Sequence, residues 1–400
     1  MATIAVLGTL DTKGEEHAFI ASYIREHGHE ALLIDIGCGT PPTVTPDITR
    51  EQIAAIGGFD LPALNDRGEA INAMSQATAI LLAKLAADGE IHAVISLGGG
   101  GGTAIATAGM RALPIGFPKL MVSTLAAGNT APYLGTKDIM MMPSITDIAG
   151  INRLSRMIFT RAAAAICGMV EAQIDEVKSR PLIVASMFGN TTACVTEAKR
   201  LLEIAGYEVL VFAATGTGGR TMEALIESGI VTAVLDLTTT ELADELVGGV
   251  LTAGPQRMDA AATARIPVVL APGCLDMVNF GEPASVPKKF AGRKFYHHNP
   301  QITLMRTTVD ECNELGRIIA QKANCYVSGA AIMIPKKAIS AISASGQPFH
   351  DPAADAALFG AIQQYSKVST HLLDEEINSP AFARACAEKL LELIAANTPT

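Results

Sequence analysis

Short apolar runs recur along the chain. Each is followed by a glycine-rich or small-polar stretch and then by a segment able to form a helix. In the first part the apolar runs are residues 4–7, 31–36, 92–97 and 120–123. Helices are predicted over 14–26, 68–87 and 103–111, whereas 37–65, rich in Pro and Thr, reads as irregular. Near residue 180 the pattern restarts, with strands over 182–187, 208–213, 233–237 and 267–270 and helices over 192–204 and up to 227. Apolar runs without alternation are buried on both faces, as in a parallel sheet covered by helices. The prediction is an α/β chain of two Rossmann-like three-layer subdomains, residues 1–180 and 181–400, with mainly parallel sheets and a cleft between them. The charged stretch 175–180 marks the boundary.

Ligands of such sheets bind beyond the carboxyl ends of the strands. Gly98, Gly99, Gly100, Gly101 and Gly102 leave a strand and, with Thr103, open a helix. Glycine lets backbone come close to a ligand, and free N–H groups at a helix start favour an anion, usually a phosphate. No Lys follows as in a P-loop, and a tight turn between packed elements is the competing reading. After the first strand, Thr12 and Glu15 fit a capping box. That leaves Lys13 to neutralise a phosphate and Asp11 to orient a metal ion or ribose, or both as surface charge. Asp35, ending the second strand, is a candidate ribose partner. Ser123 and Thr124 begin a third such loop, which runs to Gly128.

The second half has its own set. Gly216, Gly218 and Gly219 precede Arg220, a cation at an anion-friendly helix start. Glu241 follows Thr240, itself a possible N-cap. Asp276 and Asn279 sit in a glycine-bounded strand exit, and Arg306 lies further on. His297 and His298 are adjacent, so they cannot face one metal together; His298 is taken as an acid/base candidate. Cys274 has no neighbouring cation to lower its pKa and reads as a small buried residue. No metal ligand set is identified.

Composition sharpens this in three ways. There are 36 glycines in 400 residues against no Trp and 4% aromatics, and much of that glycine falls at strand ends. With 30 basic and 40 acidic residues the net charge is −10, which argues against nucleic acid as a partner and means that any anion is held by local donors and Mg2+. The seven cysteines are scattered, with no C-x-x-C pair, which points to a reducing cytoplasm rather than a disulfide or zinc framework. Residues 93–110 carry no charge, but six glycines interrupt them, so they read as strand, loop and buried helix rather than a membrane span.

Several stretches together carry a wider resemblance. They include Gly8-Thr9 with Asp11-Thr12-Lys13, the loop 98–103, Leu113-Pro114-Ile115-Gly116 with Pro118-Lys119, and Pro143-Ser144 with Asp147-Ile148. Met187-Phe188-Gly189, Ala214-Thr215-Gly216, Thr238-Thr239-Thr240-Glu241, 275–281 and 304–308 complete the set. The whole chain resembles the family formed by the ATP-binding amino-terminal region of the tomato mosaic virus resistance protein and its bacterial relatives. The resemblance implies a two-subdomain α/β fold, a homodimer, and ATP held in the first subdomain by Asp11, Thr12, Lys13 and Gly98 to Thr103, with the loop from Ser123 to Gly128 beside them. The plant protein's action on viral replication is not carried over. Its additional carboxyl-terminal part, similar to a TIM-barrel enzyme, implies a separately encoded barrel partner.

The expectation is an ATP-binding protein acting on an unidentified small molecule in the cleft. Phosphoryl or adenylyl transfer would use Arg220, Glu241, Asp276 and His298 as the reacting set. The alternative is a nucleotide-dependent regulatory or ligand-binding protein without catalytic activity.

Overall fold

In the first half, side chains alternate between two helix layers on either side of five parallel strands. The computed structural model describes residues 1–64, 66–174 and 179–397. It divides into two compact units, Met1–Glu176 and Val177–Thr400. Residues 175–178, most of the charged stretch read as a boundary, lie outside the described residues.

The first unit has strands β1 (Thr3–Gly8), β2 (Glu30–Asp35), β3 (Ala93–Gly98), β4 (Lys119–Ser123) and β5 (Met140–Pro143). Its helices are α1 (Leu10–Glu26), α2 (Arg50–Gly57), α3 (Arg67–Ala87), α4 (Gly100–Arg111), α5 (Ala131–Leu134) and α6 (Arg153–Glu171). The strand order is β2-β1-β3-β4-β5, parallel throughout. Ile4 and Val6 pack with Ile20, Ile24, Phe159 and Ile166 of α1 and α6. Ala5 and Leu7 pack on the other face with Ile53, Met74, Leu81 and Ile105 of α2, α3 and α4. Each such side chain contributes about 1.5–3 kcal/mol when fully buried. α3 is the one described helix apolar and long enough to cross a membrane. Its Met74, Leu82 and Leu85 are instead part of this core.

Two local readings change. The region 37–65 contains α2, whose start is a capping box between Thr49 and Gln52. The helix after the glycines begins at Gly100, so most of the glycine run forms its first turn.

The second unit has strands β6 (Leu182–Met187), β7 (Glu208–Ala213), β8 (Val231–Thr238), β9 (Val268–Gly273), β10 (Met277–Phe280), β11 (Phe295–Asn299), β12 (Ile302–Arg306), β13 (Ala330–Pro335) and β14 (Ser369–Leu373). Its helices are α7 (Thr192–Ile204), α8 (Thr217–Glu227), α9 (Glu241–Val247), α10 (Ala260–Ala264), α11 (Val309–Ala323), α12 (Pro352–Tyr365) and α13 (Pro380–Asn397). Six strands form a parallel sheet in the order β14-β13-β9-β8-β6-β7. Read from β7, this repeats the order of the first unit and adds one strand. The remaining three form an antiparallel sheet, β10-β12-β11, which the sequence reading did not foresee.

Candidate functional site

In both units the chain leaves its first strand for one side of the sheet and returns to the other side for its third. The crevice between those strands, at their carboxyl ends, is the place where doubly wound sheets take ligands. In the first unit the β1–α1 and β3–α4 loops flank it. A Cβ on Gly102 would stand 3.6 Å from Thr9 Cγ2, and one on Gly99 would stand 3.9 Å from Thr124 Oγ1. Thr103 Oγ1 and Ser123 Oγ are hydrogen-bonded at 2.7 Å, both buried. The loops after β1, β3 and β4 therefore meet around the start of α4. Among the described residues no side chain caps that start, and a Cβ on Gly100 would meet nothing within 4 Å. The first turn presents N–H groups and the positive end of a helix dipole to open space. Gly98 is required for a different reason: a Cβ there would lie 2.8 Å from Thr103 N.

The β1–α1 loop is a single turn broken from the rest of α1 at Lys13, whose backbone is non-helical. The expected Thr12–Glu15 box does not form; Thr12 Oγ1 bonds back to Thr9 at 3.3–3.4 Å. Asp11 Oδ2 accepts from Gly39 N at 2.9 Å, and Lys13 Nζ donates to Ile148 O at 2.6 Å. Asp35 is committed elsewhere: it accepts from Arg50 Nε at 2.6 Å and from Gly37 N and Leu10 N. His17, fully buried, ties the turn to the sheet. Leu97 N donates to its Nε2, so Nδ1 carries the proton and donates to Lys13 O at 2.6 Å. Burial holds this ring neutral by pushing its pKa down.

Beside the glycine loop, a pocket of about 490 Å³ opens at the ends of β4 and β5. Ser123, Thr124, Ser144, Thr146 and Asp147 give it a hydroxyl-rich wall. Ile145, also in the wall, is 74% exposed and holds φ at 66°. That is a strained setting for a β-branched residue, of a kind that clusters at functional sites. Gly128 closes the turn through its N–H to Leu125 O at 3.0 Å.

The corresponding edge of the second unit is filled from within. Glu241 Oε1 accepts from Gly216 N at 2.7 Å and Gly219 N at 3.1 Å, so a carboxylate of the chain itself occupies the start of α8. Its Oε2 takes Arg257 Nε at 2.7 Å, and Arg257 also forks onto Asp236 at 2.6 and 2.7 Å. The segment between β13 and α12 covers the edge. Ala341 N bonds to Asn190 O, Ile339 O accepts from Cys274 N, and Ile342 and Phe349 pack with Cys274 and Met277.

Of the four residues expected to react, Glu241 and Asp276 are enclosed while Arg220 and His298 are exposed. Asp276 Oδ2 accepts from Ser340 Oγ at 2.7 Å, and burial lifts its carboxyl to about 6. Arg220 reaches Thr252 O at 2.8 Å, and His298 stands on β11. Asn279 donates to Asp244 Oδ2 at 2.6 Å, and Arg306 pairs with Asp355 at 2.6 Å. His17, Arg257 and Asp244 carry no local pattern that would have singled them out, and Ser144 and Asp147 entered only through the resemblance, with no role; only the strand order brings their partners to them.

Residues 2–175 match the amino-terminal domain, and residues 180–394 the carboxyl-terminal domain, of Uncharacterised protein family (UPF0261). A UPF0261 protein of Clostridium tetani is 48% identical over 398 residues, covering 98% of each chain. Another, from Rhizobium meliloti, is 47% identical over 392 residues, covering 96% of this chain and 97% of that one. The ToMV resistance protein Tm-1(GCR237) of Solanum lycopersicum is 37% identical over 415 residues, covering 97% of this chain but 55% of the tomato protein.

Proposed function

Because the chain belongs, through both of its halves, to the UPF0261 family, we propose that it is an ATP-binding protein whose nucleotide site is the carboxyl edge of the first sheet. The observation that carries the reading is the start of α4: uncapped, glycine-built, open to solvent and placed at the crevice. The other glycine-led helix start, that of α8 after the second strand of the second unit, is already satisfied by Glu241. The resemblance in the loops 8–14 and 98–103 supports reading that anion as the phosphates of ATP. Gly98 to Thr103 would hold them, with Thr9 and Thr124 beside them. Lys13 would exchange Ile148 O for a phosphate oxygen. The hydroxyl-lined pocket suits ribose or another polyol, with Asp147 as a hydroxyl acceptor. Mg2+ ordinarily binds through one or two carboxylates plus the phosphates, so it would arrive with the nucleotide; Asp11 is the acid of the β1–α1 turn.

Whether ATP is consumed separates two readings. An ATP-dependent enzyme acting on a small molecule needs an acid/base group that reaches it. The enclosure of Glu241 and Asp276 favours the second reading, a nucleotide-dependent regulatory protein. Both share a test. ATP with Mg2+ at a hundredfold excess over Kd should add about 2.7 kcal/mol of stability, read as a rise in Tm. Gly100→Phe should abolish the rise; an unchanged rise in that variant removes the α4 start from the site. Product analysis with small acids and sugars then decides turnover.

A further inference from the structure

A second pocket lies in the antiparallel sheet. Register pairs Phe280 of β10 with Thr303 of β12, and Thr303 with His297 of β11. These three side chains share one face, and Phe295, two residues before His297, shares it with them. The chain following β10 folds back over this face, with Phe290 tilted against Phe280 at a ring separation of 5.4 Å. Between them is a cavity of about 200 Å³, walled by Val286, Phe290 and Phe295 and edged by Lys288 and His297. Thr303 also lines it, is 1% exposed, and its Oγ1 has no hydrogen-bond partner among the described residues.

A buried hydroxyl without a partner is rare, because it has given up water for nothing. Here it lies in an apolar wall, beside a local excess of positive charge. Residues 288–298 hold Lys288, Lys289, Arg293, Lys294, His297 and His298 and no acid, in a chain whose net charge is −10. Arg293 is paired with Glu311, and Lys289 lies over the Phe290 ring at 4.7 Å. Lys288 has no ion pair among the described residues.

We propose that this pocket is a binding site for a small apolar carboxylate. The hydrocarbon body would lie on Val286, Phe290 and Phe295. Thr303 Oγ1 is itself buried, so the side chain would turn about χ1 to donate to one carboxylate oxygen, a charge-assisted bond stronger than a neutral one, and Lys288 would neutralise the charge. A phosphate fits less well, since one hydroxyl and apolar walls leave most of its oxygens unpaired. The volume holds roughly six or seven water-sized groups, which sets the body at about four to six carbons.

The test is calorimetric titration of the full chain with hexanoate, and with hexan-1-ol as its uncharged counterpart. Hexanoate should bind saturably, and hexan-1-ol at least tenfold more weakly. Thr303→Val, close in shape, and Lys288→Glu, at an exposed position, should each weaken hexanoate at least tenfold. If Thr303→Val fails to fold, Lys288→Glu decides. Hexanoate that never saturates, or that binds both variants as it binds the wild type, overturns the proposal and leaves a cavity for water.

Discussion

Asp244 sits under the β10 strand, where its carboxylate accepts from Asn279 N at 3.0 Å and Asn279 Nδ2 at 2.6 Å. Burial, with the Glu241 charge adding to it, lifts its pKa from 3.8 to about 7. Between those values the folded chain holds a proton that the unfolded chain has released. Stability from this group is therefore full below pH 4 and lost as pH rises to 7. A shift from 3.8 to about 7 at 1.36 kcal/mol per unit amounts to roughly 4 kcal/mol. Asp276 acts with the same sign over a narrower window, up to about 6. Asp244→Asn should flatten most of the fall in urea stability between pH 5 and pH 8, because Asn279 can turn its amide to suit the new side chain. An unaltered pH slope would dismiss Asp244 as its source. None of this was readable from sequence. Asp244 looks like an ordinary helix acid, and Arg257 sits in a polar stretch. Their burial follows from which strands lie side by side, a fact that local pattern does not contain.

At the scale of elements, α4 and α8 both open on glycines, after the third strand of one unit and the second of the other, but one start is open and the other filled. Each follows a strand end through glycines, and that much was legible, since glycines at strand ends and uninterrupted apolar runs are both local signals. What fills the helix start was not legible. Glu241 reaches Gly216 and Gly219 from a different strand end. The difference makes opposite predictions for one substitution. Gly100→Ala adds a methyl group into open space within a helix and should raise stability by about 0.5–1 kcal/mol. Gly219→Ala would place Cβ 2.2 Å from Glu241 Oε2, which Arg257 fixes in place, and should cost about 3 kcal/mol. Chemical denaturation of the two variants reads both signs; a neutral Gly219→Ala would show that Glu241 can move. The Thr12–Glu15 box failed for a related reason. The turn at Lys13 is set by His17 bonding to Lys13 O and Leu97 N, a constraint from the neighbouring strand.

At the scale of the molecule, each unit carries its own cores, with none of the described clusters shared between them. Fragments 1–174 and 180–397 should therefore each unfold cooperatively on their own, and the ATP-dependent rise in Tm should remain with the first. A first fragment without a cooperative transition would contradict independent cores. The repeated strand order was only half visible in the sequence. The order of elements repeats, but which strand lies beside which is decided by crossovers, and the antiparallel insertion hides the match. The capped start of α8 has one more consequence, for spectroscopy. In an amide-resolved NMR titration, Gly216 and Gly219 already point at a fixed carboxylate. Their peaks should stay still while those of Gly100 to Gly102 move with added triphosphate. The second half of the chain thus supplies an internal reference against which occupancy of the first can be measured, residue by residue, in one sample.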